Sequence, residues 1–423
     1  MPGHKRKKEF GITGSEIDIT EIDGFDNLHS PNGILLDIEN RLTSHYGAKK
    51  SFMLVNGSTV GILSAIFAVC NEGDKIIIAR NCHKSVYNAC MLRKLKVVYI
   101  EPEFDSENGI YTAISQSSVD EITKANPEAS AIVITSPTYE GYISEISSPI
   151  PLITDAAHGA HFGLAEFPKY PKGDIVVSSL HKTLPALTQT AVINVYNSSF
   201  INSVKLYLDI FETSSPSYVL MNSVEKCLDY IENNSNDFES YNNNLKEFHS
   251  IAKYNNLEIL KTDDISRIIV SCKEADISGS ELANTLRFRF NIEVEAASRS
   301  YVTLISTVAD DELALKELYN ALLIIDGKLE KTAPKAFKKP PCPIGEQIIS
   351  IDKNGSESEI KSSIGKTANE FVFAYPPDIP LIVPNEIITS EIVSSINEQL
   401  NCGVNIISDS GLFPDKILTK QDV

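Results

Sequence analysis

Between residues 50 and 200, short β-branched apolar runs alternate with stretches of helical period, and few folds accept that pattern. Strands are expected over 51–55, 75–79, 97–100, 131–135, 152–154, 175–177 and 191–196. Helices are expected over 33–46, 58–69, 85–92 and 119–126. Short strands separated by helices build βαβ units, and these stack into one mostly parallel sheet with helices on its faces. The expected fold class is therefore α/β. In such sheets the functional residues collect beyond the carboxyl ends of the strands. His83, Ser136, Asp155 and Lys182 each fall just past a predicted strand, which gathers them at one crevice.

After residue 200 the texture changes. One long helix is expected over 220–249, with a middle rich in Asn and Ser. Strands near 257 and over 268–271, 292–295 and 302–306 share the next stretch with helices over 280–289 and up to about 325. The expected division is a polar arm (1–30), a large domain (31–250), a smaller α+β domain (251–327), a Lys/Pro-rich linker (328–345) and a third unit (346–423). A chain of 423 residues is long enough for such a division.

Net charge of −18 argues against a nucleic-acid partner, which wants clustered Lys and Arg. It suits a cationic substrate, and it equally suits plain solubility. Seven cysteines, an odd number without a CxxC pair, read as free thiols in a reducing compartment. No apolar run approaches the roughly 18–20 residues of a membrane span. The basic start, Met1-Pro-Gly-His-Lys-Arg-Lys-Lys8, has no apolar stretch after it, so a cytoplasmic protein is expected.

A lysine just past a core strand is either a surface charge or a reactive amine, and its company decides which. Upstream of Lys182 lie Asp155, at the polar end of another strand, and Asn56-Gly-Ser-Thr59, where a turn opens a helix that Ser58 or Thr59 would cap. Pyridoxal phosphate asks a protein for an amine to hold its aldehyde and a carboxylate against its ring nitrogen. It also needs donors for its phosphate at a helix N-terminus and a flat group on its ring face. Lys182 suits the first need, Asp155 the second, Gly57-Ser58-Thr59 with Ser179 the third, and His83 the last. Each has a plainer reading alone: Asn-Gly-Ser-Thr is an ordinary turn and cap, and most lysines are solvated. Asp155-Ala-Ala-His158 is near a helicase box, but no GxxxxGK[ST] loop accompanies it. His158 and His161 have the spacing of two metal ligands but no obvious third, so no metal is expected.

Ser179-Leu-His-Lys-Thr-Leu184 resembles the Ser-x-His-Lys signature of the Orn/Lys/Arg decarboxylase family. Met1-Pro-Gly-His-Lys5, Asp18-Ile-Thr-Glu21, Arg80-Asn-Cys-His-Lys-Ser85, Ser136-Pro-Thr-Tyr139, Asp155-Ala-Ala-His-Gly-Ala-His161, Thr213-Ser-Ser-Pro-Ser-Tyr218 and Tyr375-Pro-Pro-Asp-Ile-Pro380 extend the likeness along most of the chain. It is most similar to the short Gram-positive type, without the N-terminal wing domain.

The resemblance implies the pyridoxal-phosphate-dependent transferase fold type I and decarboxylation of a basic amino acid. It implies Lys182 as the lysine that carries the cofactor, Asp155 at the ring nitrogen, His83 on the ring and Ala157 beneath it. Ser58, Thr59, Ser179 and His181 would surround the phosphate, His158 joins the cofactor-binding set, and Thr213 would reach the phosphate of a neighbouring subunit in a homodimer. Lys182 and His83 are both candidates for returning a proton to Cα, and Glu295, Glu370 and Glu386 for receiving the substrate's distal cation.

Departures are Ala156, where close relatives have Glu, Asp378 in place of Gly, Pro384-Asn-Glu386 in place of Pro-Gly-Glu, and a short 139–152 segment. An aminotransferase or lyase on the same fold is one rival. A catalytically silent regulatory relative is another, although it need not keep Lys182, Asp155 and His83.

Overall fold

The computed structural model describes residues 2–334, 336–376 and 378–421. Met1 of the opening motif and Pro377 of the Tyr-Pro-Pro segment lie outside the described residues, as do position 335 of the linker and positions 422–423 at the end. Seven strands between residues 50 and 195 meet the expected pattern: β1 (Lys50–Leu54), β2 (Lys75–Ala79), β3 (Lys96–Ile100), β4 (Ala129–Thr135), β5 (Leu152–Asp155), β6 (Ile175–Ser179) and β7 (Ala191–Val195). An eighth, β8 (Gln347–Ile348), arrives from far along the chain, and the sheet order is β1-β7-β6-β5-β4-β2-β3-β8.

Strands β6, β5, β4, β2 and β3 run parallel. Strand β7 is antiparallel to both β6 and β1, and β8 is antiparallel to β3. Near-continuous Ile/Val runs, buried along almost their whole length, are what a sheet covered on both faces requires.

Three helices place the crevice. Helix α1 (Ile34–Tyr46) starts where the buried Asp26 carboxylate accepts backbone N–H groups from Asn27, Asn32, Gly33 and Leu35. Helix α2 (Gly57–Val69) follows β1 directly and lies so close to the sheet that a Cβ on Gly61 would sit 2.7 Å from Val177 Cγ1 and 2.9 Å from Leu54 Cδ1. Only glycine fits there. Helix α3 (Lys84–Leu92) follows β2 with His83 as its N-cap. The start of α2 differs from expectation. Asn56 takes the N-cap position, so Ser58 and Thr59 lie in the first turn, where backbone N–H groups have no partner within the helix.

The smaller sheet pairs Arg267–Ser271 with Tyr301–Ile305, flanked by the two-residue strands Glu258–Ile259 and Ala296–Ala297. Two expectations need correcting here. Residues 292–295 are not a strand: Ile292 and Val294 pack against this unit's core, Glu295 N reaches Thr303 O (2.8 Å), and the paired strand is only Ala296–Ala297. The helix expected over 220–249 is two helices, Tyr218–Asn233 and Ser235–Ile251, broken at Asn234, where φ −128° and ψ 42° leave the helical region. Asn competes with the helix for backbone hydrogen bonds, and the Asn-rich middle is where it wins.

Chain ends and core are interwoven. Phe371, Phe373 and Val383 are buried in the same apolar cluster as β2, β4 and β6. Fully buried Arg80, just past β2, donates from Nη1 to Pro380 O (2.8 Å) and from Nη2 to Leu381 O (3.3 Å), with Glu386 at 3.5 Å. Among the described residues no helix is long and apolar enough to cross a membrane.

Candidate active site

Parallel pairing fixes the first geometric fact. Asp155 stands level with Thr135 on one side and Val177 on the other, so β4 and β5 end together and β6 runs two residues further, to Ser179. Past β6 the chain makes one short helix, Leu180–Thr183, and that turn brings Lys182 back over the sheet edge. The result is a cavity of about 370 Å³ whose wall includes Ser58, His83, Asp155, Ala157, His158 and Lys182. That volume lies within the ~300–1,000 Å³ usual for small-molecule sites. Tyr139, Glu295, Tyr375, Pro376 and Asp378 complete much of the opposite side.

Asp155 is buried, and its Oδ1 accepts the Ala157 N–H at 3.1 Å. Burial pushes its carboxyl above the usual range, opposed by the nearby His83 and Lys182. A buried carboxylate of this kind favours a cationic N–H placed against it. His83 is oriented by Ser85: its Nδ1 accepts the Ser85 N–H (3.1 Å) and lies 2.8 Å from Ser85 Oγ. Nε2 therefore carries the proton, 3.9 Å from Asp378 Oδ2.

Lys182 Nζ is 3.0 Å from His158 Nε2, and His158 Nδ1 is 2.9 Å from Arg267 Nη2. Burial holds the Lys182 amine below the ordinary lysine range, although Asp155, Glu295 and Asp378 pull the other way. Burial, with Lys182 and the Arg267 guanidinium close by, holds His158 well below the ordinary histidine range.

The remaining predicted residues lie around this centre. Ser179 ends β6, fully buried, and its Oγ has no hydrogen-bond partner in the protein. His181 donates its Nδ1–H to Thr190 O (2.9 Å). Thr59 sits beside Ser58 in the first turn of α2. Thr213 is not in the cavity wall, but its N–H donates to Asn56 Oδ1 at 3.0 Å, which ties it to the start of α2.

Of the three glutamates, only Glu295 lines the cavity, where its Oε1 accepts the Tyr139 hydroxyl at 3.0 Å. Glu370 is buried elsewhere and accepts the N–H groups of Ser410 and Leu418. Glu386 accepts the Val383 N–H and the Tyr99 hydroxyl beside Arg80. Both are structural. His161 faces Asp264 and Ser266, each at 3.3 Å, and not the Lys182 amine that His158 meets.

Sequence reasoning missed Arg267, whose only signal was a charged residue heading an apolar run. It also missed Asn81, a buried wall residue whose Oδ1 has no partner in the protein. Asp378 was visible only as a departure. It holds φ 64°, the left-handed conformation a glycine would take without strain, and points a carboxylate into the cavity wall.

The residues present fit pyridoxal phosphate. One amine and one carboxylate share a cavity, an oriented imidazole stands in its wall, and a helix N-terminus with an unpartnered buried hydroxyl nearby offers donors for an anion. The sheet order and this site define a fold type I pyridoxal-phosphate enzyme. The E. coli constitutive lysine decarboxylase structure superposes with a TM-score of 0.77 at 16% identity, over 100% of this chain and 79% of that one.

The model of the "Orn/Lys/Arg decarboxylase, major domain" matches residues 6–265, and the chain belongs to that family. Among curated relatives, the uncharacterized protein YaaO of Bacillus subtilis is 33% identical over 424 residues, covering 92% of this chain and 87% of its own. An arginine decarboxylase of Bacillus anthracis is 29% identical over 449 residues, covering 96% and 90%.

Proposed function

We propose that this enzyme removes the α-carboxylate of a basic amino acid, lysine, arginine or ornithine, giving carbon dioxide and the corresponding amine. The observation that carries this reading is that Lys182 and Asp155 share one cavity with two further carboxylates, Glu295 and Asp378. When bound, pyridoxal phosphate supplies an electron sink for the bond between Cα and the carboxylate. Lys182 would hold the cofactor by its aldehyde and would give it up to the substrate's amine. Asp155, a fixed negative charge in a dry site, favours a protonated ring nitrogen. His83 stacks on the ring, and Ala157 leaves room beneath it.

Ser58, Thr59, Ser179 and His181 surround the phosphate, and His158 orients Lys182. Thr213 serves the phosphate of a partner subunit, which makes the working unit a homodimer. Lys182 or His83 returns the proton to Cα. Glu295 and Asp378 receive the distal cation, in keeping with arginine decarboxylase relatives and a net charge of −18. A cytoplasmic enzyme of polyamine synthesis fits these parts.

An aminotransferase normally clamps the substrate's α-carboxylate with an arginine, and none among the described residues lines the cavity. The purified protein is incubated with Lys, Arg, Orn and several neutral amino acids while carbon dioxide and amine are measured. Release from one of the three basic substrates, and none from the neutral ones, is expected. Amino-group transfer to an oxo acid without carbon dioxide would overturn the reading.

A further inference from the structure

Arg267 opens the strand Arg267–Ser271 of the smaller sheet, is fully buried, and does not line the cavity. Gly141 gives it room: a Cβ there would stand 2.8 Å from Arg267 Cγ. Its Nη2 is 2.9 Å from His158 Nδ1 and 3.3 Å from His158 O. A guanidinium only donates, so Nδ1 must accept. A neutral imidazole then carries its one proton on Nε2, and Nε2 is the atom 3.0 Å from Lys182 Nζ. Turning the ring over would put carbon atoms at both positions and lose both bonds. With Nε2–H donating, Lys182 must accept, and only an unprotonated amine has a lone pair to offer.

From this donor count we infer that Arg267 is a positioning residue: through His158 it keeps the Lys182 amine unprotonated and aimed for uptake of the cofactor's aldehyde. Uptake forms one C=N bond and releases the aldehyde oxygen as water carrying both amine protons. An ammonium would first have to lose a third.

Asp155, Glu295 and Asp378 face Lys182 and favour its ammonium, while Arg267 opposes it. Lys182, Arg267, His83 and His181 all face His158 and disfavour an imidazolium. Asp264, fully buried and kept ionised by His161 and Arg267, balances the guanidinium from behind.

The inference rests on Lys182 being the cofactor's lysine, but its test needs no cofactor, so the two can fail separately. The full-length chain, stripped of cofactor, is exposed to a trace of acylating reagent across roughly pH 6–11, and Lys182 modification is read by peptide mass spectrometry. The expected midpoint lies below the ordinary lysine value of ~10.4. Arg267→Leu and His158→Phe should each raise it, slowing labelling at neutral pH about tenfold per unit. Arg267→Lys, which keeps a donor for Nδ1, should hold it near the parent value. A parent midpoint at the ordinary value, or one that either Arg267→Leu or His158→Phe leaves in place, overturns the inference. If Arg267→Leu does not fold, His158→Phe and Arg267→Lys decide, the first raising the midpoint and the second holding it.

Discussion

Replacing Gly61 by alanine adds one methyl group where α2 meets the sheet, and two effects of opposite sign compete. Removing glycine from a helix interior is worth up to about 1 kcal/mol in favour of the folded state. Against this, the new Cβ would stand 2.7 Å from Val177 Cγ1 and 2.9 Å from Leu54 Cδ1, both on fully buried residues. Carbon atoms rest about 3.5–4.0 Å apart, so the overlap is about 1 Å and neither strand side chain has space to retreat. Overpacking of this kind costs about 1–3 kcal/mol, so against a gain of about 1 kcal/mol the net expectation is a loss of about 0–2 kcal/mol.

The loss should also be directional. Helix α2 carries Ser58 and Thr59 at one end, and β6 leads to Ser179 and Lys182. Forcing the two apart widens the phosphate end of the cavity, so cofactor affinity should fall several-fold while the fold survives. Urea titration and cofactor titration of the same preparation measure both. A Gly61→Ala protein more stable than its parent would refute the packing argument, because helix propensity would then have won.

Asp155→Asn keeps the shape and the acceptor for the Ala157 N–H but removes the charge. A pair of unit charges at about 4 Å is worth about 4 kcal/mol at an effective dielectric of 20, so turnover should fall about a thousandfold with the cofactor's visible absorbance retained. Asp378→Gly relieves a φ of 64° and removes one carboxylate. Melting should show stability unchanged or raised by up to about 1 kcal/mol, while kinetics show KM for the basic substrate up about tenfold. Asp264 is held down to about 2 by its buried contacts with His161, Arg267 and Ser266. Its folded pKa is depressed, so its contribution is full above the unfolded value of 3.8 and is lost as pH falls through about 2. Acid titration should show the parent's advantage over Asp264→Asn, about 2 kcal/mol, shrinking across that window. Arg80→Leu leaves the buried Glu386 without its cation, and denaturant melts should record a loss of about 3–5 kcal/mol.

The large sheet and the heart of the site were legible for one physical reason: strands buried on both faces must be runs of Ile and Val, and chemistry sits where those runs stop. Lys182, Asp155 and His83 each follow such a stop. What escaped reading depends on partners remote in sequence. Strand β8 has two residues and no period to detect, and it exists because β3 offers it an edge. Arg267 went unread because nothing local says that His158, more than a hundred positions earlier, is its acceptor. Asn234 was visible as composition, but composition alone does not say that a helix stops there.

The weave between the chain's end and its core limits how the protein can be cut. A fragment stopping at residue 265, where the family match ends, would lack β8, both carbonyl acceptors of Arg80 and the face of the pocket built from Tyr375, Pro376, Asp378 and Ile379. The same arrangement makes the tail a natural handle for redesign. Grafting a different sequence into it would re-dress one side of the substrate chamber, leaving the lysine and its aspartate where they are.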